Sequence, residues 1–436
     1  MKVRLDEVCN LYKGKTTITK AIQGKYPLVV TAENRASSNE YQFDCKAVCV
    51  PLVSATGHGH ASIKRLHYQE GKFALGTILS AVIPKDENIL DTKYLYIYLS
   101  YFKDSVLVPL MRGSANVSLT IKSLGSAEIE LPSIEEQKNI VELVTRIENI
   151  KSKIDIKLEE QSKLVLLIRN EILNMAIKGK LIQPDKNAES ASRLLKRIKD
   201  EIEELKLQGR YNKQRKVKDT VDAEINYGNL PSNWKWCLLD DVVPYITDYQ
   251  SNGSFSSLKS NVKTYKEEEY AILVRLKDLR LNIENNDLVY TDKSGYDFLS
   301  KSHLHGGEIL IANVGAGVGT SMIMPNINKK STIAPNMFII ELSKYINKDY
   351  FMYFTKSNLY KNEILSKASA TGQPKMNKNE FRSLTFPLPP LSEQIRIVEK
   401  VDKLIKVCDE LELRIEKSKK YSEKLMESIL KDSLKA

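Results

Sequence analysis

The stretch Leu131-Pro132-Ser133-Ile134-Glu135-Glu136-Gln137-Lys138-Asn139-Ile140-Val141 reappears as Leu388-Pro389-Pro390-Leu391-Ser392-Glu393-Gln394-Ile395-Arg396-Ile397-Val398. At this offset Leu, Pro, Glu, Gln, Ile and Val coincide in place, and the register continues without a gap for about forty residues. Downstream of the first copy, Ile140, Val144, Ile147, Lys151, Ile154, Leu158, Gln161, Val165, Ile168 and Ile172 step alternately by four and three. Ile397, Val401, Leu404, Cys408, Leu411, Ile415, Ser418, Ser422, Leu425 and Ile429 do the same. An average step of 3.5 is the seam of a coiled coil. The spacing predicts two helices, each ~45 residues and about 68 Å long at ~1.5 Å per residue, that pair with each other as a spacer of fixed length. The polar seam positions Lys151, Gln161, Ser418 and Ser422 have two readings: a layer that fixes register, or a place where the helices diverge or meet other subunits.

The segments ahead of the two helices are organised alike. Leu5-Asp6-Glu7-Val8 corresponds to Leu239-Asp240-Asp241-Val242. Short β-like runs come next in both halves: Tyr26 to Thr31 and Ala47 to Val53, then Ala271 to Leu276, Glu308 to Ala312 and Met337 to Glu341, punctuated by Gly, Asn and Pro. Each half then reaches an aromatic helical stretch, Lys93 to Lys103 or Lys348 to Thr355. The order is globule (1–133), long helix (134–178), connector (179–230), globule (231–390), long helix (391–436). The connector carries a short amphipathic helix, Ser192 to Leu207, and an acid-free basic run from Lys206 to Lys218. The fold class expected is α+β: two mixed-β globules separated by an antiparallel helical pair, with pseudo-two-fold symmetry.

Composition narrows the classes. With 42% hydrophobic and 28% charged residues the chain is ordinary globular material, and 19 Gly with 14 Pro exclude a collagen-like polymer. The net charge of +11 favours a polyanionic partner without demanding one. No run approaches the ~20 apolar residues that cross a bilayer. Charges at Lys2, Arg4, Asp6 and Glu7 stand where a signal peptide needs its apolar core. Five cysteines make no disulfide framework, and the expected location is the cytoplasm.

Catalytic patterns are absent. Gly14-Lys15-Thr16 lacks the glycine that a P-loop needs five positions earlier, where Cys9 stands. Gly315-Ala316-Gly317-Val318-Gly319 leads into a strand-like run ending at Pro325, so a hairpin turn is expected rather than a phosphate loop. The histidines of Gly57-His58-Gly59-His60, His67 and His303-Leu304-His305 lack the four convergent ligands of structural zinc. Trp234 and Trp236 read as packing residues, with base stacking the alternative.

Residues suited to touching phosphates or base edges sit in small-residue loops, because Gly permits close backbone approach. They are His58, His60, Lys64 and Arg65 in one loop, and Arg112, Ser114 and Asn116 before the first long helix. Gln373 and Lys375 hold the equivalent place before the second helix, with Lys259, Arg275 and Lys277 as further cations. The alternative is that these are tight connections carrying solvated charges. On the helices, Gln137, Ile140, Val144, Ile154, Gln394, Ile397, Val401 and Leu411 are the expected pairing and docking positions.

Several motifs together resemble the specificity subunits of type I restriction–modification enzymes. They are the Leu-Pro…Glu-Gln repeat, the run Ile172-Leu173-Asn174-Met175-Ala176-Ile177-Lys178-Gly179-Lys180-Leu181, Ser190 to Lys196, Leu-Pro-x-x-Trp-x-Trp from Leu230, and Gly306-Gly307-Glu308-Ile309-Leu310-Ile311. The resemblance implies two target-recognition domains, each reading half of a split double-stranded DNA sequence. It implies docking of two methylation subunits and of restriction subunits. It also implies that S-adenosylmethionine, ATP and Mg are used by those partners, this chain binding no cofactor or metal. Two departures stand out: Met1 opens the first globule without the tryptophan lead-in, and the second helix stops at Ala436. The rival classes are a coiled-coil scaffold with two protein-binding globules, and an enzyme with an unrecognised site.

Overall fold

The computed structural model describes residues 1–436 except 57–58, 115, 186, 210–226, 285–286, 369–372 and 436. The chain forms two compact units: Met1–Glu159 with Glu416–Ala436, and Glu160–Ile415. Each contains one sheet-rich globule and portions of both long helices.

The first globule holds three sheets. Strand β1 (Lys2–Arg4) pairs antiparallel with β10 (Glu128–Glu130). A four-stranded antiparallel sheet runs β2 (Cys9–Lys13), β9 (Leu79–Pro84), β6 (Ala47–Pro51), β7 (His67–Gln69). The third runs β4 (Ala36–Ser38), β3 (Tyr26–Val29), β8 (Lys72–Leu75), β5 (Phe43–Asp44), with β3 and β8 parallel. The second globule repeats this order. There β11 (Lys235–Leu238) pairs with β20 (Thr385–Leu388). The second sheet runs β12 (Tyr245–Asp248), β19 (Met337–Glu341), β16 (Ile309–Ala312), β17 (Ser321–Ile323). The third runs β14 (Tyr290–Thr291), β13 (Ala271–Val274), β18 (Ser331–Ile333), β15 (His303–Leu304), again with one parallel pair, β13 and β18. The five β-like runs of the sequence each contain a strand. The central strands β6, β13 and β16 are buried along their whole length, as their unbroken apolar runs require.

The duplication extends to single hydrogen bonds. Leu5 N–H donates to Ala127 O and Leu239 N–H to Leu384 O, both at 2.9 Å. The aromatic helix Thr92–Val106 is capped by Asp91, whose carboxylate accepts from Tyr94 N. Its counterpart Lys348–Lys356 is capped by Asn347, accepting from Tyr350 N. The buried hydroxyl of Tyr94 donates to Glu130 O and that of Tyr350 to Pro387 O, both at 2.9 Å. Both tyrosines thereby tie the aromatic helix to the strand that leads into the long helix.

The long helices are Ile134–Ile177 and Leu391–Lys435. In the second unit they run antiparallel: Arg169 forks onto Asp409 and Glu412, while Arg396 reaches Gln183 O just beyond the end of the first helix. The seam departs from expectation in one respect. Val144, Leu158, Val165 and Ile172, with Val401, Cys408 and Ile415, are buried, but Ile154, Ile168, Leu411 and Leu425 are exposed. Ile147 and Ile397 are buried as well, so the alternate row is covered near the start of each long helix and opens further along. A two-stranded seam buries both rows where the helices pack closely, so Ile154, Ile168, Leu411 and Leu425 mark stretches of looser cover.

The connector helix Ala191–Leu207 buries Leu194, Leu195, Ile198 and Ile202 as its amphipathic pattern predicts. It is pinned to the second globule by Lys199 on Asp241 at 3.0 Å and by the Arg197 guanidinium over the Tyr345 ring. Most of the acid-free basic run beyond it lies outside the described residues.

Candidate nucleic-acid interface

In the first globule the connection from β6 to β7 (52–66) meets the segment that precedes the long helix. Ser54 N–H donates to Val117 O, Leu119 N–H to Leu52 O, and Arg112 and Ser118 exchange two backbone hydrogen bonds at 2.9 Å. Gly59 adopts φ +79°, and a Cβ there would lie 2.5 Å from Ser114 O, so only glycine lets these two loops close on each other. The fold therefore brings His60 to the loop of Arg112, Ser114 and Asn116, all of them exposed. His58 lies outside the described residues. Lys64 is exposed, Arg65 is half-buried and paired with Glu33 at 2.8 Å, and Arg112 also donates to Pro109 O and Met111 O.

The far end of this connection is braced by His67. Its ring is buried, and Nδ1 accepts from the Arg35 guanidinium at 2.9 Å, while Arg35 also holds Gln69 and Tyr68 O. Burial, then the Arg35 charge, push the His67 pKa down to about 4. The unfolded chain protonates this imidazole near 6.5 whereas the fold refuses the proton until about 4. Stability is therefore whole above pH 6.5 and is lost as pH falls towards 4, by about 3 kcal/mol at most. Thermal unfolding between pH 4 and 7 should show this slope in the wild type and lose it in His67→Gln. An equal slope in both would refute the assignment.

The second globule places the corresponding parts together. Strands β16 and β17 form the expected hairpin around the Gly315–Gly319 loop. The segment before the second helix closes on it: Gly315 N–H donates to Pro374 O at 2.8 Å and Met376 N–H to Asn313 O at 2.9 Å. Gln373 and Lys375 are exposed, and Lys375 lines a cleft of about 340 Å³ with Lys259, Asp248, Tyr249, Phe255 and Asn313. Arg275 and Lys277 do not join them. Arg275 grips the fully buried Asp278 through two hydrogen bonds of 2.8 and 2.7 Å and reaches Asp287 O. Lys277 pairs with Asp287, whose carboxylate it holds below the usual range. Both cations brace a turn of their own globule. His303 likewise serves the fold, stacked at 3.8 Å on Tyr296. Trp234 is buried and Trp236 lies on β11, in keeping with the packing reading. Sequence reasoning passed over Phe255 and Asn313; the loop register shifts between the two halves, so the helix offset does not align them.

The helix positions expected to pair or to dock partners divide in two. Gln137, Gln394, Ile397 and Val401 are fully buried, Val144 is nearly so, and Ile140 packs against the first globule's core. These hold the chain together rather than offering a surface. Ile154 and Leu411 are exposed. In the first unit Ile154 has Ile150 and Leu425 for exposed company; in the second, Leu411 has Leu164, Leu167, Ile168 and Val407. Each unit thus leaves apolar helix positions open to solvent.

The sequence profile of the type I restriction modification DNA specificity domain matches residues 1–160 and 231–418, most of the chain. The chain is 25% identical over 300 residues to the type I restriction enzyme EcoAI specificity subunit of Escherichia coli, an alignment covering 67% of this chain and 48% of that protein. To the EcoDI specificity subunit of the same organism it is 23% identical over 446 residues, covering 98% and 86%. The chain thus spans about half the length of the EcoAI and EcoEI relatives. Among solved structures, its fold resembles a chain described for complex assembly and conformational transition of the type I R-M system (TM-score 0.61, 16% identity, covering 100% and 97%). It also resembles the HsdS subunit from Thermoanaerobacter tengcongensis (TM-score 0.53, 17% identity, covering 100% and 96%).

Proposed function

Because the chain belongs to the type I restriction modification DNA specificity family, we propose that it is the sequence-reading subunit of a type I restriction–modification enzyme. One observation carries this reading. Two globules of identical strand order present, at the same topological place, a small-residue loop facing a segment just ahead of a long helix, yet the side chains there differ. A duplicated scaffold with unlike loops suits a DNA target made of two unlike halves. His60, Arg112, Ser114 and Asn116 serve one half; Gln373, Lys375 and Lys259 serve the other. The open apolar helix positions, Ile154 and Leu425 in one unit and Ile168 and Leu411 in the other, are where methylation subunits dock, and restriction subunits join that assembly. Methylation with S-adenosylmethionine and ATP-driven cleavage with Mg belong to those partners in the cytoplasm, and this chain itself catalyses nothing. No helix among the described residues is long and apolar enough to cross a membrane.

Coexpression with a methylation subunit, followed by genome-wide mapping of methylated adenines, tests the proposal. A new motif of two unlike halves around an unread spacer is expected; its absence would overturn the reading. Within that assay, Lys375→Ala should leave the motif intact and weaken binding to every sequence. The slope of log affinity against log salt should flatten by about one, as for a lost phosphate contact. A changed motif with an unchanged salt slope would remove Lys375 from the phosphate contacts.

A further inference from the structure

Asn313 occupies a position whose backbone role is duplicated and whose side chain is not. Its N–H donates to Asn336 O at 3.0 Å and its carbonyl accepts from Met376 N at 2.9 Å. In the first globule Leu52 does the same, donating to Ile78 O and accepting from Leu119 N, both at 2.8 Å. Leu52 is 7% exposed and belongs to the main core. The fold thus accepts an apolar side chain here and has no need of an amide. Asn313 nonetheless lines the cleft of the second globule, and its Oδ1 is shielded from water without a hydrogen-bond partner. Such an acceptor costs the fold free energy, and a turn of the amide into the cleft it lines would release it to a donor that arrives with a ligand. Phe255 lines the same cleft at 81% exposure, although an aromatic ring of that size gains by burial. Lys259 and Lys375, both exposed, complete its wall.

We infer that Asn313 is a base-reading residue of the second globule and that it takes an A·T pair. The inference rests on the DNA-reading role proposed above. The asparagine amide matches adenine's major-groove edge in two hydrogen bonds, Oδ1 accepting from N6–H and Nδ2 donating to N7. The thymine opposite presents a methyl group, the one apolar feature of that groove, and Phe255 is the surface for it. Lys259 and Lys375 take the flanking phosphates.

The test is selection from a random duplex library by the purified full-length chain, followed by binding to the selected duplex. The wild type should enrich a two-part motif. Asn313→Leu, which installs the residue of the first globule, should lose one A·T position from one half and keep the rest, with affinity falling roughly 5- to 150-fold. Asn313→Asp, nearly the same size but acceptor-only, should move that position from adenine towards cytosine, whose N4 amine donates. Uracil in place of the thymine should weaken the wild type and leave Phe255→Ala unaffected. An unchanged motif in both Asn313 variants, or loss of a G·C position, would overturn the inference. A wild type that enriches no motif would instead overturn the DNA-reading role.

Discussion

Glu393→Ala should destabilise the second unit by about 3–5 kcal/mol, several times the cost of Glu136→Ala at the equivalent place in the repeat. The carboxylate of Glu393 is fully buried. One oxygen accepts from Asp185 N at 2.8 Å and Asn233 Nδ2 at 2.6 Å; the other accepts from Trp234 Nε1 at 2.6 Å. These donors come from the connector and from the tryptophan lead-in to the second globule, so one side chain gathers remote segments of the chain. Truncation strands three N–H groups away from water, each costing about 1–3 kcal/mol, partly recovered by relaxation. Glu136 is exposed and only closes a capping box with Ser133, worth about 1 kcal/mol. Calorimetry should show the transition of the second unit lowered by roughly 10 °C. Emission should shift to the red as the Trp234 indole loses its partner. Equal effects of the two substitutions would sink this account of Glu393.

The contrast between Glu393 and Glu136 shows what is and is not legible in a sequence. The β-runs, aromatic helices, connector helix and long helices are legible, because they are written in local periodicity and, for the most part, repeated at a fixed offset. The Gly315–Gly319 turn is legible from the short strand beyond it, which Pro325 ends. The roles of polar residues within the repeat are not legible. Identical residues, Glu at 136 and 393, serve different ends because the partners of the second, Asp185 and Trp234, lie more than a hundred residues away. Arg275 shows a related limit: in the sequence it is a free cation beside a loop, and its grip on the buried Asp278 appears only in the fold. Ile154, Ile168, Leu411 and Leu425 of the seam stay exposed because periodicity predicts which residues share a face, not how closely neighbours cover it. Asn313 is hidden by loops of unequal length, which break the alignment of the two globules where they differ in use. Hydrogen-bond partners on the strands restore it.

Gln137→Leu and Gln394→Leu should each cost about 2–4 kcal/mol, and each should act on its own unit. Both side chains are fully buried at the start of a long helix, where the repeat alone suggests a docking surface. The Gln137 amide accepts from Asp91 N at 2.8 Å and donates to Ile89 O and Pro132 O, both at 2.9 Å. The Gln394 amide accepts from Asn347 N at 2.8 Å and donates to Pro389 O at 3.1 Å and, more weakly, to Tyr345 O at 3.4 Å. Asp91 and Asn347 are the caps of the two aromatic helices, so each glutamine fastens a long helix to the globule it carries. Leucine fills the volume but leaves one amide N–H and two carbonyls without partners, the costly half of a broken hydrogen bond. Gln137→Glu should cost more, since a carboxylate would face the two carbonyls that the amide N–H groups now satisfy. Hydrogen exchange offers the clearest measurement: the Asp91 amide should lose protection in Gln137→Leu while Asn347 keeps it, and the reverse in Gln394→Leu. Under the proposed function the selectivity carries over to DNA, each variant loosening one half of the motif. If either substitution left its own cap protected, or exposed both caps together, the glutamines would not be the separate fasteners that the duplicated bonds describe.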